Sequence, residues 1–186
     1  MPTVSIWHDP RFMSDLILAS SSPRRRDLLT EAGIAFRVVA PEVEESHRPG
    51  ETPTAYVLRN ARDKAMWVAR QPGQGEVRGL GADTVVVYGR HILEKPEDDD
   101  HARSMLMQLS GRRHEVLTGV CLLRVGGATP ADLAFVETTG VYFRELSAAE
   151  IDRYVESGEP ADKAGSYAIQ GGAAGMVERV EGSYTN

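Results

Sequence analysis

The chemistry open to this chain is concentrated in a few charged residues set against apolar sequence. Lys64 lies in a stretch where Val57, Ala61 and Val68 recur at helical spacing, which predicts a helix over 54–70. At 3.6 residues per turn Lys64 falls inside that apolar stripe. Arg59, Arg62, Asp63 and Arg70 take the outer faces, where charges are solvated. An inward lysine has two uses. Its ammonium snorkels to an edge, or it neutralises an anion at a site. Asp83 is the complementary anomaly, inside Leu80-Gly81-Ala82-Asp83-Thr84-Val85-Val86-Val87. A carboxylate in so apolar a strand needs a cation, a proton or a metal, unless it faces out from an edge strand. Gly81 and Ala82 leave its surroundings uncrowded, as close ligand approach would require. Asp83 is therefore the first candidate for a general base or a metal ligand.

Ser20-Ser21-Ser22-Pro23-Arg24-Arg25-Arg26 puts hydroxyls, backbone amides and arginines where a strand turns into a helix. The open N–H groups of a helix N-terminus accept phosphate, and arginine adds bidentate recognition of its oxygens. A capped surface helix with solvated arginines is the competing reading, and the Walker-loop pattern is absent. Glu42, Glu44 and Glu45 form an acidic loop that composition alone leaves solvated. Asp98, Asp99 and Asp100 read as acids complementing a helix dipole rather than as a metal cage. Lys95, in Glu94-Lys95-Pro96, is an isolated phosphate-contact candidate. His114 and the other histidines lack metal-ligand spacing. The loop over 165–172 offers Gln170, donor and acceptor at once, to a base edge. A plain loop is the equal alternative.

Short apolar strands at 16–20 and 36–40 flank a helix that starts near Pro23 and ends at Gly33. The Lys64 helix breaks at 72–75, and a strand over 80–88 turns at Gly89. A helix runs from the Asp98 region to Leu109, followed by strands over 115–125 and 133–144 joined across 126–130. Ser147 and Glu150 have capping-box spacing for a helix over 148–156. The glycine-rich tail over 165–182 holds a loop and one more strand. Mixed strands and helices predict an α/β or α+β sheet protein.

The chain has 186 residues, 41% hydrophobic and 26% charged, the balance of an ordinary globular domain. Its formal net charge of −6 argues against general nucleic-acid binding. No apolar run suits a membrane span of roughly 20 residues. Residues 1–14 read as an N-terminal extension, without the apolar core of a secretory signal. The one cysteine, Cys121, lies in an apolar run, fits a packing role, and suits a reducing, cytoplasmic setting.

Several blocks together are similar to the Maf family of nucleoside triphosphate pyrophosphatases. They are Leu18-Ala19-Ser20-Ser21-Ser22-Pro23-Arg24-Arg25, Val43-Glu44-Glu45, the helix with Ala61 and Lys64-Ala65, and Gly81-Ala82-Asp83-Thr84. Glu94-Lys95-Pro96, Ser110-Gly111 with His114, Thr118-Gly119, and Lys163-Ala164-Gly165-Ser166-Tyr167-Ala168-Ile169-Gln170-Gly171 continue the match in order. The resemblance implies one Maf-like domain over 15–186, with a mixed elongated β-sheet flanked by helices and two lobes around a central cleft. It implies hydrolysis of a nucleoside triphosphate to monophosphate and pyrophosphate with a divalent cation, Mg²⁺ or Mn²⁺, and leaves a homodimer open. Asp83 resembles the catalytic proton acceptor and, with Glu45, the metal-site carboxylates. Ser20, Arg24, Arg25, Lys64 and Lys95 match residues that hold the triphosphate. Arg24, Thr84 and Gln170 match positions that set base specificity, and they resemble the house-cleaning branch acting on dTTP and UTP. The alternatives are the same chemistry on 7-methyl-GTP, or a non-catalytic nucleotide sensor regulating septum formation. The family pattern continues beyond Gly182-Ser183-Tyr184-Thr185-Asn186 through a Val-Val-Gly-Leu-Pro-Leu segment and a closing helix, so the sequence reads as lacking that end.

Overall fold

A computed structural model describes residues 16–71, 76–126 and 131–186. The expected extension over 1–14, the break over 72–75 and most of the connection over 126–130 lie outside them. Leu16–Ala19 (β1) is apolar throughout, as a buried parallel strand requires. Pro23–Glu31 (α1) has its proline in the first turn, and Gly33 beyond its end adopts φ +68°, which glycine takes without strain. Arg37–Val39 (β2), Pro53–Ala69 (α2), Val77–Tyr88 (β3) and His91–Leu93 (β4) follow. Asp99–Leu109 (α3), Arg113–Val125 (β5), Ala131–Phe143 (β6), Ala148–Glu156 (α4), three short 3₁₀ turns and Val177–Glu181 (β7) complete the described chain. The hydrogen-bonding order is β2-β1-β3-β5-β6-β7, with β4 on β3. β1 runs parallel to β2 and β3, whereas β3/β4 and β6/β7 are antiparallel. Among the described residues, this mixed sheet with four α-helices is an α/β fold.

Local signals set most boundaries. Asp98 Oδ1 accepts the His101 N–H at 2.8 Å, capping α3. Ser147 and Glu150 close a reciprocal capping box on α4. β3 starts at Val77 rather than at 80 because β1 supplies a partner there, with Leu16 opposite Arg78 and Ile17 opposite Gly79. That pairing is not written in the local pattern of Arg78-Gly79.

The chain divides into two compact units. The first comprises the described residues up to Asp83 together with Gly119–Phe135. Here α2 lies directly on strand backbone. A Cβ on Gly81 would stand 2.0 Å from the Ala61 carbonyl oxygen, and one on Gly79 2.5 Å from that of Ala65. A Cβ on Gly119 would stand 2.4 Å from the Val57 oxygen. Ala61 and Ala65, both fully buried, keep the helix side of this contact equally thin. Ile17, Ala19, Val68 and Val77 form one small core, and Ala61, Ala65, Cys121 and Leu123 another. Cys121 is buried as expected, and burial pushes its thiol up to about 11, keeping it protonated.

The second unit is Thr84–Thr118 with Val136–Asn186. Its core joins Met105, Leu106 and Leu109 of α3 to Ile151, Tyr154 and Val155 of α4, with Phe143, Tyr167 and Met176. Each large apolar side chain so buried contributes about 1.5–3 kcal/mol. His114, 1% exposed, meets Phe143 and Tyr167 edge-on at ring distances of 4.9 and 5.4 Å. Its Nε2 pairs with the Tyr167 hydroxyl at 2.7 Å.

Two measurements check this packing. Gly81→Ala is expected to lose about 2 kcal/mol or more, as overpacking does, and Gly175→Ala less than about 0.5 kcal/mol in urea unfolding. The contrast follows from space, since a Cβ on Gly175 meets nothing within 4 Å. Burial pushes the His114 imidazole down to about 4 from an ordinary 6.5. Between those values the unfolded chain binds a proton that the folded one refuses, so stability falls as pH drops through the window. Unfolding curves should show wild type losing up to about 3 kcal/mol relative to His114→Gln between neutral pH and pH 4.

Candidate active site

The Thr52 hydroxyl accepts the Ala55 N–H at 3.2 Å and, with Pro53 in the first turn, starts α2. The helix then buries one stripe, Tyr56, Val57, Asn60, Ala61, Lys64, Ala65 and Val68. Residues 79, 81 and 83 share one face of β3. Because Gly79 and Gly81 meet α2, Asp83 is turned to the same helix. The Lys64 Nζ lies 2.7 Å from Asp83 Oδ1 and 2.7 Å from Glu45 Oε2. Side-chain exposures are 8% for Lys64, 9% for Asp83 and 46% for Glu45. Of the two uses open to an inward lysine, the structure shows the second. Its ammonium does not snorkel but joins two carboxylates.

The same stripe ties down their surroundings. Asn60 Nδ2 donates to Asp83 Oδ2 at 2.9 Å, and Asn60 Oδ1 accepts from Arg59 Nη1 at 2.9 Å. The Tyr56 hydroxyl donates to the Glu45 carbonyl at 2.5 Å, and Arg59 Nη2 to the Ser46 carbonyl at 2.9 Å. Arg59 also holds Glu51 through two bonds of 2.7 and 2.9 Å. That guanidinium keeps the Glu51 carboxyl at about 2, well below its usual range. Arg59, read from the helix wheel as a solvated outer charge, instead pins the acidic loop, and its side chain is 15% exposed.

Ser20 follows β1, whose Ala19 pairs with Gly81 of β3. Its Oγ accepts the Ser22 N–H at 3.1 Å and an Arg25 Nη1 hydrogen at 3.3 Å. Arg25 Nη1 also donates to the Ala82 carbonyl at 2.9 Å, rooting the first turn of α1 beside Asp83. Burial lowers the Arg25 guanidinium from its ordinary value, against the opposing charges of Asp83 and Glu45. Arg24 is exposed in the same turn, and Ser22 gives that turn no side-chain cap. Amides of the first turn thus have no side-chain acceptor from the N-cap residue.

Ser20, Arg25, Glu45, Lys64 and Asp83 are therefore brought together in the first unit, with Arg24 at its surface. Thr84, Lys95 and Gln170 belong to the second. There the Thr84 and Thr118 hydroxyls lie 2.9 Å apart, and Lys95 and Gln170 are exposed. The Gln170 loop is held by Glu159, whose Oε1 and Oε2 accept the Gly172 N–H at 3.1 and 2.9 Å. The Tyr154 hydroxyl donates to Glu159 at 3.0 Å and accepts the Ala168 N–H at 3.3 Å.

Among the described residues no cluster of three or more His, Cys, Asp or Glu forms an all-protein metal cage. Two hard carboxylates fit a different mode, in which a small divalent cation takes one or two carboxylates and completes its shell with substrate phosphate and water. The residue pattern could not supply everything here. Gly81 makes room for helix backbone, not for a ligand. Asn60 and Tyr56 were not singled out, although both lie at helical spacing from Lys64. No helix among the described residues is long and apolar enough to cross a membrane.

Known proteins resemble this chain in sequence over most of its length. A protein from Anaeromyxobacter dehalogenans (strain 2CP-1), named dTTP/UTP pyrophosphatase, is 52% identical over 171 residues, covering 92% of this chain and 85% of its own length. Proteins of the same name from Hahella chejuensis and Vibrio cholerae are 51% and 48% identical over 174 and 172 residues. Each covers 92% of this chain, and 84% and 89% of the respective relatives. The family model described as Maf-like protein matches residues 15–186, and on that match the chain belongs to the Maf family.

Proposed function

We propose that this protein is a nucleoside triphosphate pyrophosphatase that hydrolyses dTTP and UTP to the monophosphate and pyrophosphate. The observation that carries the reading is the buried Lys64 ammonium between Glu45 and Asp83, beside an arginine-bearing helix N-terminus. The names of relatives at about 50% identity support the substrate class.

In this reading Asp83 takes the proton of the attacking water. The water oxygen bonds to the α-phosphorus as the bond to the α–β bridging oxygen breaks, and pyrophosphate leaves with that oxygen. Arg24 and the first-turn amides of α1 hold phosphate oxygens, where a helix N-terminus favours negative charge. Ser20 and Arg25 fix that turn against the strand carrying Asp83. Lys64 balances the carboxylates and faces the charge that develops on the phosphates, and Lys95 adds a further phosphate contact. Glu45 and Asp83 would hold Mg²⁺ or Mn²⁺, which when bound screens phosphate charge. Arg24, Thr84 and Gln170 set the base preference. The net charge of −6 argues against nucleic acid as the partner, and this reading takes free nucleotides in the cytoplasm as the substrates. A homodimer is the assembly to test by light scattering.

A pyrophosphate-release screen over dTTP, UTP, 7-methyl-GTP and the common purine triphosphates, with each cation, tests the substrate. Release from dTTP and UTP is expected, and reaction with 7-methyl-GTP alone would overturn the base assignment. Asp83→Asn should lower kcat by at least about 100-fold, the low end of what a general base supplies. It should leave a cooperative unfolding transition, and near-normal turnover would remove Asp83 from the proton transfer.

A further inference from the structure

Asp83 is gripped at two points by one helix. Asn60 and Lys64 stand four residues apart on α2, so their side chains rise from the same face one turn apart. Lys64 takes Oδ1 at 2.7 Å and Asn60 takes Oδ2 at 2.9 Å. The terminal torsion of an aspartate is soft and broad, so a single contact leaves its carboxylate free to swing. Two donors fixed to one rigid helix do not. A carboxylate offers about four lone-pair directions, and these donors consume two. One on each oxygen is left.

The grip is itself locked. Asn60, 1% exposed, could in principle present either its oxygen or its nitrogen to Asp83. Arg59 decides this, because its Nη1 donates to Asn60 Oδ1 at 2.9 Å and so turns Nδ2 toward the carboxylate. Arg59 is held in turn by both oxygens of Glu51. The order Glu51, Arg59, Asn60, Asp83 is one chain of charge-assisted and neutral hydrogen bonds, each member orienting the next.

We infer that Asn60 is a positioning residue: with Lys64 it forms a two-point clamp that fixes the plane of the Asp83 carboxylate and leaves an open lone pair for the proton of the attacking water. The inference rests on the pyrophosphatase reading for the water and on geometry alone for the clamp. Asn60 is buried and bonds Asp83 directly, so its loss should act on turnover rather than on binding. A misplacement of about 1 Å in a reacting group is worth up to about 100-fold in rate.

The test uses the full chain with Asn60→Leu, of similar size without a donor, and Asn60→Ala. With dTTP and Mg²⁺, kcat should fall by about tenfold or more while KM stays within about threefold. In an Asp83→Asn background the further loss from Asn60→Leu should shrink to within about twofold, since a residue acting only through Asp83 has nothing left to position. An undiminished loss there, or a kcat within twofold of wild type in both variants, overturns the inference. A thermal-unfolding cycle of Asn60→Ala with Asp83→Ala judges the clamp without turnover. The summed shifts should exceed the double-variant shift by at least about 2 °C, and additive shifts overturn it. If wild type releases no pyrophosphate from any nucleotide, the pyrophosphatase reading falls, and this cycle alone upholds or overturns the clamp.

Discussion

The first unit is organised around one ammonium group shared by two carboxylates. Lys64 reaches Glu45 and Asp83 at 2.7 Å each, at a place where its own side chain is 8% exposed. Removing Lys64 would strand the buried Asp83 carboxylate, a loss of several kcal/mol, whereas removing Asp83 leaves Lys64 its bond to Glu45. The third member differs. Glu45 is half-exposed and sits on a loop, so it can exchange its contact with Lys64 for solvent or ligand at far lower desolvation expense. The arrangement couples a buried carboxylate to a half-exposed one through the same cation. This is the electrostatic setting a polyanionic substrate would enter.

The parts legible in the sequence are those in which a residue violates a strong local pattern. Lys64 broke a helical apolar stripe and Asp83 broke an apolar strand, and both violations proved to be halves of one contact. The capping box at Ser147 and Glu150 was equally visible because it depends on residues three apart in the chain; Asp98, read as an acid complementing the helix dipole, is the residue that caps α3. Glu45 was not visible in composition, since a loop has no period against which one acid stands out. Only the resemblance of Val43-Glu44-Glu45 marked it. Asn60 escaped for a subtler reason: asparagine is common on helix surfaces, and its partner lies on a strand 23 residues away. Glu159 was likewise hidden, because it accepts from the Gly172 amide and the Tyr154 hydroxyl, contacts that no local sequence pattern marks.

Glycines were the most misleading letters. Gly81 beside Asp83 suggested open space, yet a Cβ there would stand 2.0 Å from the Ala61 oxygen. The space exists in the isolated strand and is filled by α2 in the fold. A sequence shows that a Cβ is missing but not what occupies the volume it leaves. The same ambiguity holds at Gly171, where the occupant is the Glu159 carboxylate and the added Cβ would meet Oε1 at 2.0 Å.

The backbone-on-backbone seat of α2 has a consequence for how the protein tolerates change. Most helix–sheet layers are spaced by interleaved side chains, whose rotamers shift when any neighbour is altered. Here Gly79, Gly81 and Gly119 remove that cushion, and backbone contact sets how far α2 stands from β3 and β5. Sequence drift in the adjoining apolar clusters would therefore erode folding free energy well before it moved the helix relative to the strand that carries Asp83. A variant altered in those clusters would tend to be either correctly registered or unfolded.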